Sequence, residues 1–304
     1  MSLIEESAVV NWVRKNIPQN LKNFIRPLVG PVVGTAARLQ GPLSERPLPN
    51  FLVIGSQKAG TTSLFSWLCQ HPDIMAPVSK ELGYLETPRK AQKGADGYRL
   101  FFRPITDGQI TGEATPSYIF FPDTAETAFN ICPDIKVVAL LRHPKDRAIS
   151  HYFHSKRMGA EHEEMMRAFE LEDERLASAY SSYSSDSTAL HRLRHFSYAA
   201  RGRYTDLLKP WFERFSPSNV MLIRSEHMFA HPQDVLVQVH DFLGVGEHPM
   251  DAIQPKMTGT YDSPTTADAQ AFIEEKLRDD IKAYEAWCAG DSSAYASEAR
   301  SIVA

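Results

Sequence analysis

The chain has 304 residues, a formal net charge of -4 and 43% hydrophobic residues. That is enough to bury a substantial core, and too acidic for a general nucleic-acid binder, which carries a basic domain. Cys69, Cys132 and Cys288 are odd in number and far apart, which speaks against a disulfide framework, offers no metal-ligand spacing and points to a reduced, cytoplasmic chain. No run reaches the roughly 18 apolar residues of a membrane span, and the N-terminus lacks a basic stretch followed by a hydrophobic signal core.

Residues 1–50 are expected to form a helical extension and linker. Val9, Val10, Val13, Ile17, Leu21, Phe24 and Ile25 recur at helical spacing with Lys15, Lys22 and Arg26 opposite them; such a segment docks on the main domain, or contacts a partner chain or a membrane surface. Gly41 to Asn50 reads as the linker. The main domain, 51–304, opens with an unbroken apolar run, Phe51 to Ile54, as expected of a parallel strand covered on both faces. A loop bracketed by Gly55 and Gly60 follows, and then a helix from about Thr61 to Gln70. Glycine lets backbone N–H groups approach an anion, and the helix N-terminus adds its positive end, so the loop is built to hold a phosphate. It is not a Walker A loop: Thr61 and Thr62 follow Gly60, and the lysine lies inside the loop at Lys58.

Pro77 to Glu86 reads as a short charged loop and helix, and Gly112 to Pro122 as a segment with too many breakers for a long helix; both suit site walls better than core. The second strand, Val137 to Leu141, ends in Arg142, where a magnesium-binding enzyme of the nucleoside triphosphate class would place an acidic residue. Proline at the first turn then starts a helix to about Arg157, with Ser150 about two turns along it. Arg142 is therefore expected at the carboxyl end of a buried strand, where open parallel sheets gather ligands.

Glu161 to Ala179 reads as an acidic helix with a solvated face, and Ser178 to Thr188 as a mobile stretch that is either a lid or a surface loop. Tyr204, Leu207, Leu208, Trp211 and Phe215 form a core stripe on a helix kinked at Pro210. A third strand, Val220 to Ile223, precedes a helix from Pro232 to Leu243 that Gly244 stops; after a loop from Gln254 to Tyr261, a last helix spans Ala267 to Trp287. The fold class expected is α/β, a single P-loop-like domain with a mostly parallel central sheet flanked by helices on both faces.

Gln57-Lys58-Ala59-Gly60-Thr61-Thr62, then Arg142-His143-Pro144 through Ser150, then Gly202-x-Tyr204 to Trp211 and Glu226, resemble in order the motifs of the sulfotransferase family that uses 3′-phosphoadenosine-5′-phosphosulfate (PAPS). Within that family the chain is most similar to the heparan-sulfate-type branch and its bacterial relatives. The resemblance implies that Gln57, Lys58, Ala59, Gly60, Thr61 and Thr62 hold the 5′-phosphosulfate, that Arg142 and Ser150 hold the 3′-phosphate, and that Lys256 and Gly259 belong to a C-terminal PAPS loop. It implies Lys58 as the electrostatic catalyst and no metal. Lys80-Glu81 matches the family's lysine-glutamate pair, with Glu81 as general base; His154 matches a catalytic histidine and is the second candidate. Glu113 is a further candidate as base or acceptor-binding group, with Tyr118 beside it in the same segment. Ala114 stands where some carbohydrate-specific members have lysine, which weighs against a polyanionic glycan. The expected acceptor is a hydroxyl of a carbohydrate, glycolipid or small metabolite. The competing readings are a non-catalytic nucleotide-binding module on the same fold and, disfavoured by Lys58 and Arg142, a P-loop kinase.

Overall fold

The computed structural model describes residues 42–248, 253, 267–295 and 299–303. Six parallel strands form one sheet in the order β2-β3-β1-β4-β5-β6: β1 is Phe51–Gly55, β2 Ile74–Met75, β3 Ile110–Ala114, β4 Lys136–Leu141, β5 Val220–Arg224 and β6 Arg300–Ile302. Among the described residues, the helices of eight residues or more are α1 Thr61–Leu68, α2 Thr124–Ile131, α3 Pro144–Arg157, α4 Ser187–His195, α5 Tyr204–Arg214, α6 Pro232–Leu243, α7 Ala267–Lys276 and α8 Arg278–Cys288.

The unbroken apolar runs of β1, β4 and β5 are explained by burial on both faces. Leu52 and Ile54 point to one side with Val137, Ala139, Leu141 and Leu222, where Leu208 and Trp211 of α5 and Tyr284 and Trp287 of α8 cover them. Phe51 and Val53 point to the other with Val138, Leu140, Met221 and Ile223, beneath Leu64 and Leu68 of α1 and Val235, Val239 and Phe242 of α6. A third cluster joins Ile149, Tyr152 and Phe153 of α3 to Phe169, Tyr198, Ile273 and Leu277. Asn50 fastens the start of the sheet: its N–H donates to the Thr111 carbonyl (2.7 Å), its side-chain oxygen accepts the Thr111 N–H (2.9 Å) and its carbonyl accepts the Lys136 N–H (3.0 Å).

Several expectations change. Gly112 lies inside β3, where a Cβ would come within 2.4 Å of the Phe51 ring, so this glycine serves close strand-to-ring packing and breaks nothing. Pro77 to Glu86 contains no helix. The acidic stretch forms two short helices, Met165–Glu170 and Glu172–Ala177, and two of its carboxylates are buried, not solvated. Glu161 accepts hydrogen bonds from Arg175 (2.6 Å) and the Tyr198 hydroxyl (2.6 Å), and Glu172 accepts from the N–H groups of Ala199 and Ala200 at 2.8 Å each. The serine-rich stretch carries a short helix at Ala179–Ser182 and buries Tyr183 against Phe121. The last helix divides at Leu277 into α7 and α8. The N-terminal extension up to residue 41, and Gln254 to Tyr261 with Lys256 and Gly259, lie outside the described residues.

Candidate active site

β1 and β4 are neighbours in parallel register, Val53 opposite Val138 and Gly55 opposite Ala139. The loops that follow them therefore leave the same carboxyl edge of the sheet. After β1 the chain runs through residues 56–60 into α1. Gly60 caps α1 with φ +99°, and a Cβ there would lie 2.7 Å from Phe229 Cζ, so only glycine fits both the backbone and the space. Its carbonyl takes the N–H groups of Ser63 and Leu64 at 2.9 and 3.1 Å. The first-turn amides of α1, from Thr61 and Thr62, have no carbonyl within the helix to bond, and they form an anion-binding end with the loop.

Lys58 adopts φ +75°, an uncommon conformation for a residue with a Cβ, at the crest of this loop. Its pKa is lowered to about 8, chiefly by burial and in smaller part by the charges of Arg157, Arg142 and Arg147, with Glu81 opposing them. Arg142, just beyond β4, donates from Nη1 to the Lys58 carbonyl at 3.1 Å. Ser150 faces inward from α3 and is 8% exposed. The second loop is held from behind by Glu226, which accepts the His143 N–H (3.1 Å) and the Tyr284 hydroxyl (2.6 Å).

The opposite wall comes from the segment before β3. Lys80 Nζ donates to Thr62 Oγ1 (3.0 Å) and to Glu81 Oε1 (2.8 Å), tying the phosphate loop to the candidate base. Glu81 is exposed, has φ +61°, and its N–H is anchored on the carbonyl of Ala114, the last residue of β3, at 3.2 Å. His154, two turns after Arg147 on α3, is pushed down to about 4 by burial and by the charges of Lys58 and Arg157, with Glu81 again acting in the other direction. At neutral pH it is an uncharged imidazole. Lys58, Glu81 and His154 thus come from three separate segments, and the charges of Lys58 and Glu81 both act on His154.

Glu113 and Tyr118 do not join them. Both are fully buried. Glu113 Oε1 accepts the hydroxyls of Tyr98 (2.5 Å) and Tyr118 (2.6 Å), and Oε2 accepts that of Thr115 (2.7 Å). Burial pushes its pKa up, while the hydroxyl bonds hold it back. The Tyr118 oxygen in turn accepts the N–H groups of Tyr84 (2.9 Å) and Leu85 (3.3 Å). Glu113 is therefore a strut behind the wall that carries Glu81, and its reading as base or acceptor contact is corrected: a carboxylate sealed under the sheet edge and saturated by three donors has no path to an acceptor.

A second arrangement lies behind His154, and no local sequence pattern announces it. The last carbonyls of α4 are capped from α3 and the 197–201 turn: His151 Nε2 meets the Arg194 carbonyl (3.1 Å), Ser155 Oγ donates to His195 O (2.8 Å), and Arg201 Nη2 donates to Leu193 O (3.1 Å). Arg194 also reaches Glu86 Oε1 at 2.9 Å. Cations at a helix C-terminus satisfy both its free carbonyls and its dipole. The serine-rich region is thereby fixed against the helix bearing His154. Among the described residues, no group of three or more His, Cys, Asp or Glu is arranged to hold a metal ion, and no helix is long and apolar enough to cross a membrane.

The chain is similar to known proteins of one family. The family model described as "Sulfotransferase domain" matches residues 48–259. The bifunctional heparan sulfate N-deacetylase/N-sulfotransferase 3 of Mus musculus is 31% identical over 210 residues, 66% of this chain and 23% of that protein. The heparan sulfate glucosamine 3-O-sulfotransferase 3A1 of Mus musculus is 31% identical over 214 residues, 70% of this chain and 49% of that protein. The chain thus covers 23% to 49% of the length of these relatives. The crystal structure of a sulfotransferase from Alicyclobacillus acidocaldarius superposes with a TM-score of 0.58 at 25% identity, covering 78% of this chain and 96% of that one.

Proposed function

From the premise that the chain belongs to the sulfotransferase domain family, we propose that it transfers a sulfonyl group from PAPS to an acceptor hydroxyl. The observation that carries this reading is the joining of the two loops that follow β1 and β4 by the hydrogen bond from Arg142 to the Lys58 carbonyl, at 3.1 Å. A donor with phosphates at both ends needs two anion sites held at a fixed separation. On this reading the loop from Gln57 to Thr62 holds the phosphosulfate end, and Arg142 with Ser150 holds the 3′-phosphate. Arg142 brings a permanent charge and a fork of donors.

The donor supplies an activated sulfonyl group. The acceptor oxygen bonds to sulfur as the bond from sulfur to the 5′-phosphate oxygen breaks, and that electron pair leaves with adenosine 3′,5′-bisphosphate. Lys58 stands where negative charge then grows, in a half-buried position that strengthens its electrostatic effect. The acceptor proton passes to Glu81, which is exposed toward the acceptor side and oriented by Lys80. His154, uncharged at neutral pH, is the second acceptor for that proton.

The acceptor class proposed is a carbohydrate, glycolipid or small-metabolite hydroxyl. Ala114, buried within β3, brings no cation to that wall, which favours a less anionic acceptor than heparan sulfate. The test is a PAPS-turnover screen over glycan, glycolipid, phenolic and hydroxy-acyl acceptors, with Lys58→Ala as the control. Lys58→Ala should abolish transfer while adenosine 3′,5′-bisphosphate still binds; unchanged turnover would remove Lys58 from the mechanism. Tight binding of the bisphosphate with no transfer to any acceptor would instead favour a nucleotide-binding module.

A further inference from the structure

Tyr204, the first residue of α5, is fully buried, and its hydroxyl lies between the two loops that follow β1 and β4. It donates to the Arg142 carbonyl at 2.8 Å and accepts the Arg142 N–H at 3.4 Å, and its oxygen is 3.2 Å from Ser56 Oγ. A phenol has one proton and two acceptor positions. With the proton committed to Arg142, the Ser56 hydroxyl must be the donor in the third contact, so every bonding position of the Tyr204 oxygen is used. One atom thereby holds the first loop two residues before Lys58 and the second loop at Arg142 itself. Arg142 then closes the ring by reaching the Lys58 carbonyl at 3.1 Å.

We propose that Tyr204 is a positioning residue that sets the separation of the two anion sites and so makes the enzyme select a nucleotide phosphorylated at both the 5′ and 3′ positions. The proposal rests on the sulfonyl-donor reading above and adds to it the origin of the selectivity. Tyr204 touches no substrate; it acts through Ser56 and Arg142. A ligand with only a 5′-phosphate engages one loop and is insensitive to where the other stands. A 3′,5′-bisphosphate spans both and loses affinity when the spacing relaxes. A tyrosine that merely fills the core would affect both ligands alike.

The test is calorimetric titration of the full chain with adenosine 3′,5′-bisphosphate and with adenosine 5′-monophosphate, for wild type, Tyr204→Phe and Ser56→Ala. Phenylalanine keeps the ring and removes the hydroxyl. Tyr204→Phe should weaken the bisphosphate about tenfold, the equivalent of one to two net hydrogen bonds, and the monophosphate less than about twofold. Ser56→Ala should move the ratio in the same direction by a smaller factor, and it decides the matter if Tyr204→Phe does not fold. An unchanged ratio of the two affinities, or an equal loss for both accompanied by a lower melting temperature, overturns the positioning role. Wild-type protein that binds the bisphosphate no better than the monophosphate overturns the donor reading itself, an outcome separate from the first two.

Discussion

Glu113 offers the sharpest separation between a catalytic carboxylate and a structural one. In Glu113→Ala, the hydroxyls of Tyr98, Tyr118 and Thr115 lose their shared acceptor inside the protein. At about 1–2 kcal/mol for each buried group left without a partner, the cost is about 3–6 kcal/mol, against a typical total of about 5–15 kcal/mol. Glu113→Gln is milder. Its amide oxygen still accepts from the two tyrosines, and its NH2 can donate to Thr115 Oγ1, which already accepts the Gly83 N–H at 3.3 Å; the cost should be about 1–2 kcal/mol. Because the Tyr118 oxygen also holds the N–H groups of Tyr84 and Leu85, some disorder passes to the wall that carries Glu81. Urea unfolding should therefore show a lower midpoint for Glu113→Gln and a much lower one for Glu113→Ala. Turnover per folded molecule in Glu113→Gln should stay within about tenfold of wild type, the equivalent of about 1.4 kcal/mol. A Glu113→Gln protein with the wild-type midpoint and no turnover would refute this account and return Glu113 to the chemistry.

Two pH dependences follow from the same geometry. Lys58 titrates at about 8, so kcat/KM for the donor should fall as pH rises through that value and the ammonium is lost; Lys58→Arg, permanently charged, should remove this limb whatever its absolute rate, and a flat wild-type profile to pH 10 would contradict the assignment. His154, His195 and His240 are each lowered from 6.5 to about 4, first by burial. Between those values the unfolded chain takes up protons that the folded chain does not, so these groups make stability fall as pH falls, by up to about 1.4 kcal/mol per pH unit for each. His240 is buried with both ring nitrogens unpartnered among the described residues, and His240→Leu should narrow the gap between urea midpoints at pH 7 and pH 5; an unchanged gap would show that its burial is not the cause.

The two strand-loop-helix units proposed to hold the donor were legible because their determinants are local in sequence. Phe51 to Thr62 is one strand, one loop and one helix start, and Val137 to Ser150 repeats that pattern; in both, an unbroken apolar run announces a buried strand and the residues at its end announce the ligand edge. Helix α5 was equally clear from its apolar spacing, α3 from proline at its first turn, and α6 from its apolar face with proline and Gly244 at its ends. What failed was every inference that took a polar residue for an exposed one. Glu113, Glu161 and Glu172 are buried because donors arrive from Tyr98, Arg175, Tyr198, Ala199 and Ala200, partners that no local pattern can supply. β3 was missed for this reason, since Thr111 and Glu113 interrupt its apolar run while their polar atoms are satisfied within the fold. β2 and β6, of two and three residues, are too short to show any period.

The wall that carries Glu81 was legible as a segment, Pro77 to Glu86 with its Lys80-Glu81 pair, but the contacts that place it were not. Glu81 is set by the Ala114 carbonyl, the wall behind it by Tyr118 and Glu113, Glu86 by Arg194, and α4 by caps from α3. These are contacts between segments far apart in sequence, made chiefly by polar atoms under cover. Lys80 joins the two halves, because its ammonium bonds the donor loop at Thr62 and the candidate base at Glu81 at once. The position of the base is thereby tied to that of the phosphate loop through a single side chain.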